Sequence, residues 1–205
     1  MSEKTSIFEK TYQDYLLRIA DLDFSSLKQP LGVTLYGNGV VIPLFGEAYQ
    51  VSEKGIADPF GRQPSLDICV VLCKYLLLCP SASPQGRDWV SYRDLKDSGP
   101  LTVYFLNDVE RAIADHFAGR RDTLKAACLR IRGYAPDMDV SYDLTVQFDA
   151  LPRIPLLLLF NDGDEEFPAR CSVLFERRAE VYLDPESLAM AGRLLFVRLK
   201  NAARS

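Results

Sequence analysis

Histidine is nearly missing from this chain: His116 is the only one in 205 residues. General acid–base and nucleophilic catalysis lean on that side chain because its ordinary pKa lies nearest neutrality. No Gly-x-Ser-x-Gly elbow and no local cysteine-protease signature accompanies it. His116, beside Ile113 and Phe117, therefore reads as a boundary side chain rather than as half of a dyad with Cys128 or Ser91. Also missing is a Cys-x-x-Cys knuckle, the usual frame of a structural zinc or iron–sulfur site. Neither Gly-x-x-x-x-Gly-Lys-Ser/Thr nor Gly-x-Gly-x-x-Gly occurs, which sets aside the common phosphate loops. The longest apolar run, Ile68 to Cys79, is interrupted by Lys74 and falls short of the about 20 residues of a membrane span. Met1 to Ser6 lacks the basic-then-apolar layout of a signal peptide. The five cysteines are odd in number and three share one apolar helix, which fits a reducing compartment. A cytoplasmic protein with no membrane partner is expected. The net charge of −4 gives no basic excess, so nucleic acid is not an expected partner.

What is present is a large apolar fraction, 48%, with ten tyrosines and eleven phenylalanines. That suffices for one packed core, and residues 1–205 are read as a single domain. Ser6 and Glu9 form a capping box, followed by Phe8, Tyr12, Tyr15, Leu16 and Ile19 at helical spacing to about Leu22. Leu31–Tyr36, Val40–Phe45 and Ala48–Ser52, separated by Gly37-Asn38-Gly39 and Gly46-Glu47, read as a three-stranded meander. Pro43 places its strand at an edge or a bulge. Leu66 to Leu78 is a helix apolar on nearly every side, hence central. Ser91 with Asp94 suggests a short helix to about Lys96. Helices are expected over Tyr104–Phe117 and Arg121–Arg132, and strands over Tyr142–Phe148, Ile154–Phe160 and Arg170–Phe175. Asp184-Pro185-Glu186 opens a last helix to about Ala202. Two strand clusters separated by about six helices predict α+β with a largely antiparallel sheet.

Four constellations bear on chemistry. Asp162, Asp164, Glu165 and Glu166 crowd the turn after the apolar strand, where a hard cation finds oxygen ligands. Their register is not that of a calcium loop, and a solvated hairpin turn flanked by Arg153 and Arg170 is the favoured reading. Cys69 and Cys73, four apart on one helix, are the weak candidates for a soft metal; buried small hydrophobes is the favoured reading. Arg120, Arg121, Lys125, Arg130 and Arg132 make a basic helix that reads as a solvated face. Trp89, Tyr92 and Arg93 form an aromatic–cationic cluster suited to a pocket or interface. No cofactor is evident.

Leu151-Pro-Arg-Ile-Pro155, Asp164-Glu-Glu-Phe-Pro168, Val173-Leu-Phe175 and Tyr182-Leu183 resemble the C-terminal signature of domain-of-unknown-function family 3786. Tyr75-Leu-Leu, Gly86 and Trp89-Val-Ser-Tyr-Arg-Asp-Leu95 resemble its central block. The family has no assigned activity. The resemblance implies an origin mostly among anaerobic prokaryotes and service to corrinoid or one-carbon metabolism, because some members carry an extra cysteine-rich iron–sulfur module. No such module stands in these residues, so no cluster-binding role is carried over. The expected function is a non-catalytic accessory that binds a partner protein or a small ligand. Its expected surface combines Trp89, Tyr92 and Arg93 with Arg153, Asp162, Asp164, Glu165 and Glu166. The alternative is a metal-assisted or carboxylate-based enzyme using Asp162–Glu166.

Overall fold

The computed structural model describes residues 3–82, 84–138 and 140–204, with side chains from Glu9 onward. Helix α1 (Glu3–Ala20) turns Tyr12, Leu16 and Ile19 inward. The helix starts at Glu3, so Ser6 lies inside it, and the capping box expected of Ser6 and Glu9 does not mark its start. Asp23 Oδ1 accepts from Ser25 N at 3.0 Å and starts α2 (Phe24–Leu31), which Gly32 ends at φ 68°. This helix is an addition to the expected elements. Its eight residues, with Pro30 in the last turn, are too few to show a period.

The meander has four strands rather than three: β1 (Thr34–Tyr36), β2 (Gly39–Leu44), β3 (Glu47–Ser52) and β4 (Gly55–Ala57), antiparallel in chain order. β4 is too short to show alternation in the sequence. Pro43 lies in β2 beyond the reach of β1, which pairs only with Gly39 to Val41. Its missing N–H therefore falls where β2 is locally an edge. Phe45 and Gly46 make the two-residue β2–β3 turn, both at positive φ (49° and 78°). Phenylalanine is costly there. Its ring is held in the core by Phe148, at 6.5 Å, with the Arg198 guanidinium 5.5 Å above it.

Helix α3 (Leu66–Leu77) follows, then β5 (Trp89–Ser91) and a 3-10 turn, Tyr92–Asp94. The strand Trp89–Ser91 is an addition to the expected elements, and the helix expected after Ser91 begins there. Ser91 Oγ does hydrogen-bond the Asp94 carboxylate, but Leu95 turns extended and the helix ends after one turn. Helix α4 (Thr102–Phe105), a π-helical stretch Leu106–Arg111 and α5 (Ala112–Phe117) occupy the next expected helix, and α6 (Arg121–Arg130) the one after. Strands β6 (Leu144–Leu151), β7 (Ile154–Asn161) and β8 (Arg170–Glu176), the short helix α7 (Ala179–Tyr182) and α8 (Pro185–Ala202) complete the chain. The second sheet has the order β5-β8-β7-β6, antiparallel throughout. The fold is α+β, with two four-stranded antiparallel sheets. No helix among the described residues is long and apolar enough to cross a membrane.

One hydrophobic cluster draws on both sheets and on α1, α3 and α8. α3 buries Cys69, Val70, Val71, Leu72, Cys73, Tyr75 and Leu76 and packs between α1 and α8. Lys74, its one cation, pairs with Asp184 at 2.7 Å and lies 5.4 Å from the Tyr15 ring centroid. Asp184 also caps α8 by accepting from Ser187 N at 2.9 Å. Burial opposes the charge on Lys74, but Asp184 outweighs it and holds the ammonium above its ordinary pKa. Tyr75 Oη donates to Leu31 O at 2.7 Å, tying α3 to the end of α2. The two sheets meet where Phe45 N donates to Ala150 O at 3.0 Å. Arg198 of α8 binds both Glu47 and Tyr49 Oη at 2.9 Å, fastening the meander to the last helix.

Helix side chains close the outer edge of β4 and the part of β8 beyond the reach of β5, which stops at Leu174. Tyr12 Oη accepts from Ile56 N of β4 at 3.1 Å, and Glu110 Oε1 accepts from Val173 N of β8 at 3.0 Å. Burial pushes Glu110 above its ordinary 4.5, with the Val173 N–H and Arg93 opposing. The folded state then holds the proton where the unfolded chain has released it. The stability contributed by Glu110 is complete below 4.5 and is lost as pH rises through the folded pKa. Glu110→Gln keeps an acceptor for Val173. It is expected to be more stable than the wild type at pH 7 and to lose that pH dependence, measured by urea denaturation across pH 4 to 8.

Gly192 of α8 reports on the packing. A Cβ there would stand 2.5 Å from Phe105 Cε2 and 3.0 Å from its Cζ. The Phe105 ring cannot slide away, being stacked on Tyr92 at 4.3 Å and 5° and tilted against Phe175. Gly192→Ala is expected to destabilise by about 1–2 kcal/mol in spite of its better helix propensity. Phe105→Leu should then cost less in the Gly192→Ala background than alone, as a double-mutant cycle in urea would read.

Candidate functional site

The expected binding surface is not one surface. β7 runs from the Arg153 turn to the acidic turn. Leu156 pairs with Phe175 and Asn161 with Arg170, so β5, which pairs with Leu174 to Glu176, lies toward the Arg153 end. At about 3.4 Å per residue, the eight residues of β7 hold the flanking Arg153 and Asp162 roughly 30 Å apart. Arg153 does not flank the carboxylates. Its Nε donates to Pro30 O at 3.0 Å and its Nη2 to Gln29 O at 2.7 Å, capping the end of α2. Tyr92 is a core residue: it stacks on Phe105 and donates to Pro185 O at 2.8 Å, and burial pushes its phenol up to about 12. Trp89 is half-buried in β5 opposite Glu176. Arg93 alone of that cluster stands in solvent, 3.8 Å from Asp94.

The four carboxylates of the acidic turn do not converge. Asp162 Oδ1 accepts from Gly119 N at 2.6 Å and Gly163 N at 2.9 Å, tying the turn to the α5–α6 link. Asp164 Oδ1 accepts from Phe167 N at 2.7 Å and Glu166 N at 2.9 Å, and those N–H groups hold its carboxyl below the ordinary range. Glu165 and Glu166 are exposed. Asp162 and Asp164 line a hollow of about 480 Å³ together with Tyr142, Asp143, Phe167 and Arg170. Among the described residues no three His, Cys, Asp or Glu side chains are placed to hold a metal ion. Cys69 and Cys73 are buried, and burial pushes their thiols up to about 11 and about 12. Metal ligation needs the thiolate; Cys69 instead points its Sγ toward Pro64 O at 3.8 Å. The basic helix is likewise dispersed. Arg130 donates to Ala202 O at 2.7 Å, Arg121 lies 3.6 Å from Asp122, and Arg132 packs on Gly46.

A different place gathers unspent hydrogen-bonding groups. Between α1 and the β3–β4 hairpin opens a groove of about 570 Å³. Buried Tyr12, Leu16 and Ile56 make its apolar floor, and Leu17, 71% exposed, stands on its wall. Gln13, Gln50 and Gln63 line it as well, and their carboxamides make no hydrogen bond to another described residue. Tyr12 closes the edge of β4, so the groups offered to a ligand are side-chain amides rather than a free strand edge. The sequence reading missed this groove because its glutamines come from α1, β3 and a loop with no common spacing. Leu17 was the available signal: it is a large apolar residue off the inward face marked by Tyr12, Leu16 and Ile19.

A family model described as Domain of unknown function (DUF3786) matches residues 23–198. No curated protein and no solved structure matches the chain.

The capping role of Arg153 is directly testable. Arg153→Met is expected to destabilise by about 1–3 kcal/mol, the range for hydrogen bonds to a charged donor. Arg153→Lys should recover little, since one ammonium does not reproduce the guanidinium fork. Guanidinium denaturation of the three proteins checks this.

Proposed function

The chain belongs to the DUF3786 family, and from that premise we propose that it is a non-catalytic binding module that holds a peptide segment of a partner protein in the groove between α1 and the β3–β4 hairpin. The observation that carries the reading is the set of three unpartnered carboxamides, Gln13, Gln50 and Gln63, around an apolar floor. A carboxamide presents one acceptor and two donors and does not ionise. It matches a peptide group edge for edge, and it recognises without moving a proton. Large apolar side chains in water extend the surface past the groove itself: Leu17 on its wall and Phe60, 80% exposed, next to the lining residue Gly61. A protein partner covers such residues; a small ligand confined to the groove leaves them wet. The service to corrinoid or one-carbon metabolism implied by the family resemblance makes a corrinoid or redox enzyme the expected partner. The carboxylate-based alternative at Asp162–Glu166 draws less support, because Asp162 and Asp164 already accept backbone N–H groups.

Selection from a displayed peptide library tests the reading. The wild type should enrich extended peptides with an apolar residue. Leu17→Asp and the Gln13→Ala, Gln50→Ala pair should each weaken the selected peptides at least about tenfold, roughly 1.4 kcal/mol, with thermal midpoints unchanged. Peptides that bind all three proteins equally would overturn the groove as the site.

A further inference from the structure

The cations of this acidic protein gather at a place the basic run of α6 does not indicate. Arg193, Phe196 and Lys200 of α8 recur at spacings of three and four and share one helix face, and Arg204 follows in the turn just beyond the helix. The end of α5 packs against that face. The His116 ring lies 6.0 Å from the Phe196 ring and 4.8 Å from that of Phe117. Arg120 donates to His116 O and sits 5.7 Å from the Phe117 centroid. Arg193 and Lys200 lie 5.3 Å and 6.0 Å from the Phe196 centroid. Among the described residues none of Arg120, Arg193, Lys200 and Arg204 has a carboxylate within ion-pairing distance.

The neighbouring acids are otherwise engaged or turned aside. Asp162, which reaches this corner from β7, is spent on the Gly119 and Gly163 N–H groups. Asp122 of α6 lies against Arg121. Asp115, on α5 itself, is exposed and is not among the groups that shift His116. Burial, then Arg120, Lys200 and Arg204, hold the imidazole below its ordinary 6.5. Like charges drawn together without a counter-charge repel, and a bound anion relieves that repulsion.

We propose that this face, formed by His116, Arg120, Lys200 and Arg204, is a binding site for a small ligand carrying two or more phosphate charges, of which pyrophosphate is the simplest form. Guanidinium forks from two arginines and the point charge of one lysine suit tetrahedral phosphate oxygens. A nucleic acid is the poorer occupant. It needs a basic track continued over many phosphates, whereas this cluster ends within one corner of a chain of net charge −4. The site is separate from the peptide groove and does not depend on it.

His116, the only histidine, serves as the reporter, since its imidazole C–H signals need no assignment among others. In an NMR titration of the full chain, saturating pyrophosphate should raise the His116 pKa by about one unit. By linkage, pyrophosphate should then bind about tenfold tighter once His116 is protonated. Lys200→Gln combined with Arg204→Gln, at the end of α8 and outside the core, should raise the resting pKa and abolish the pyrophosphate increment, with the thermal midpoint kept. An unchanged pKa in pyrophosphate, an equal rise in sodium chloride of matched ionic strength, or an increment retained in the double variant would each overturn the site. A rise with single-stranded DNA or a glutamate-rich peptide but not with pyrophosphate would overturn the ligand class.

Discussion

A helix that is apolar on nearly every side must be enclosed on every side, and α3 imposes that requirement on the rest of the chain. α1 and α8 flank it, and both sheets contribute to the cluster that surrounds it. Its one cation would forfeit hydration there, and Asp184 repairs this while also capping α8. A single carboxylate thus sets where the last helix begins and permits a lysine inside the most buried helix. Three of the buried tyrosines follow the same logic, spending the hydroxyl on a backbone carbonyl or N–H: Tyr75 on Leu31, Tyr92 on Pro185 and Tyr12 on Ile56.

That economy decides where binding is possible. Groups that look reactive in the sequence are consumed by architecture: Arg153 by α2, Asp162 and Asp164 by loop N–H groups, and Cys69 and Cys73 by burial. What is left over is informative by contrast. Neutral amides remain beside α1, and cations remain where α5 meets α8. The two leftovers differ in kind, one suited to hydrogen-bonded recognition and the other to charge.

The large elements were legible in the sequence for physical reasons. All-round apolarity marked α3 as central, Asp184-Pro185-Glu186 marked the start of α8, and the apolar run after Pro155 marked the buried β7. Three errors share one cause, that short elements are decided by tertiary partners. α2 hides behind Pro30, and β4 exists because β3 pairs with it. Ser91 and Asp94 do bond as a capping pair, yet Leu95 turns extended and the expected helix stops after the one turn Tyr92–Asp94. The site was less legible still. Arg153 finds its carbonyl partners more than a hundred residues away, which no local spacing reveals, and a residue's position beside an acidic turn in sequence says nothing when a full-length strand lies between them.

The closure of two strand edges by Tyr12 and Glu110 has a consequence for self-association. An unpaired row of backbone groups is a template on which a second copy can add a strand, the first step toward ordered aggregates. At β4 the Ile56 N–H, and at β8 the Val173 N–H, are already occupied by a phenol and a carboxylate from helices packed across them. A second chain would have to displace the buried Tyr12 phenol at β4, or the half-buried Glu110 carboxylate at β8, before it could pair there. Resistance to fibre growth at these edges is thus supplied by the helices, and loosening α1 or the π-helical stretch would expose it.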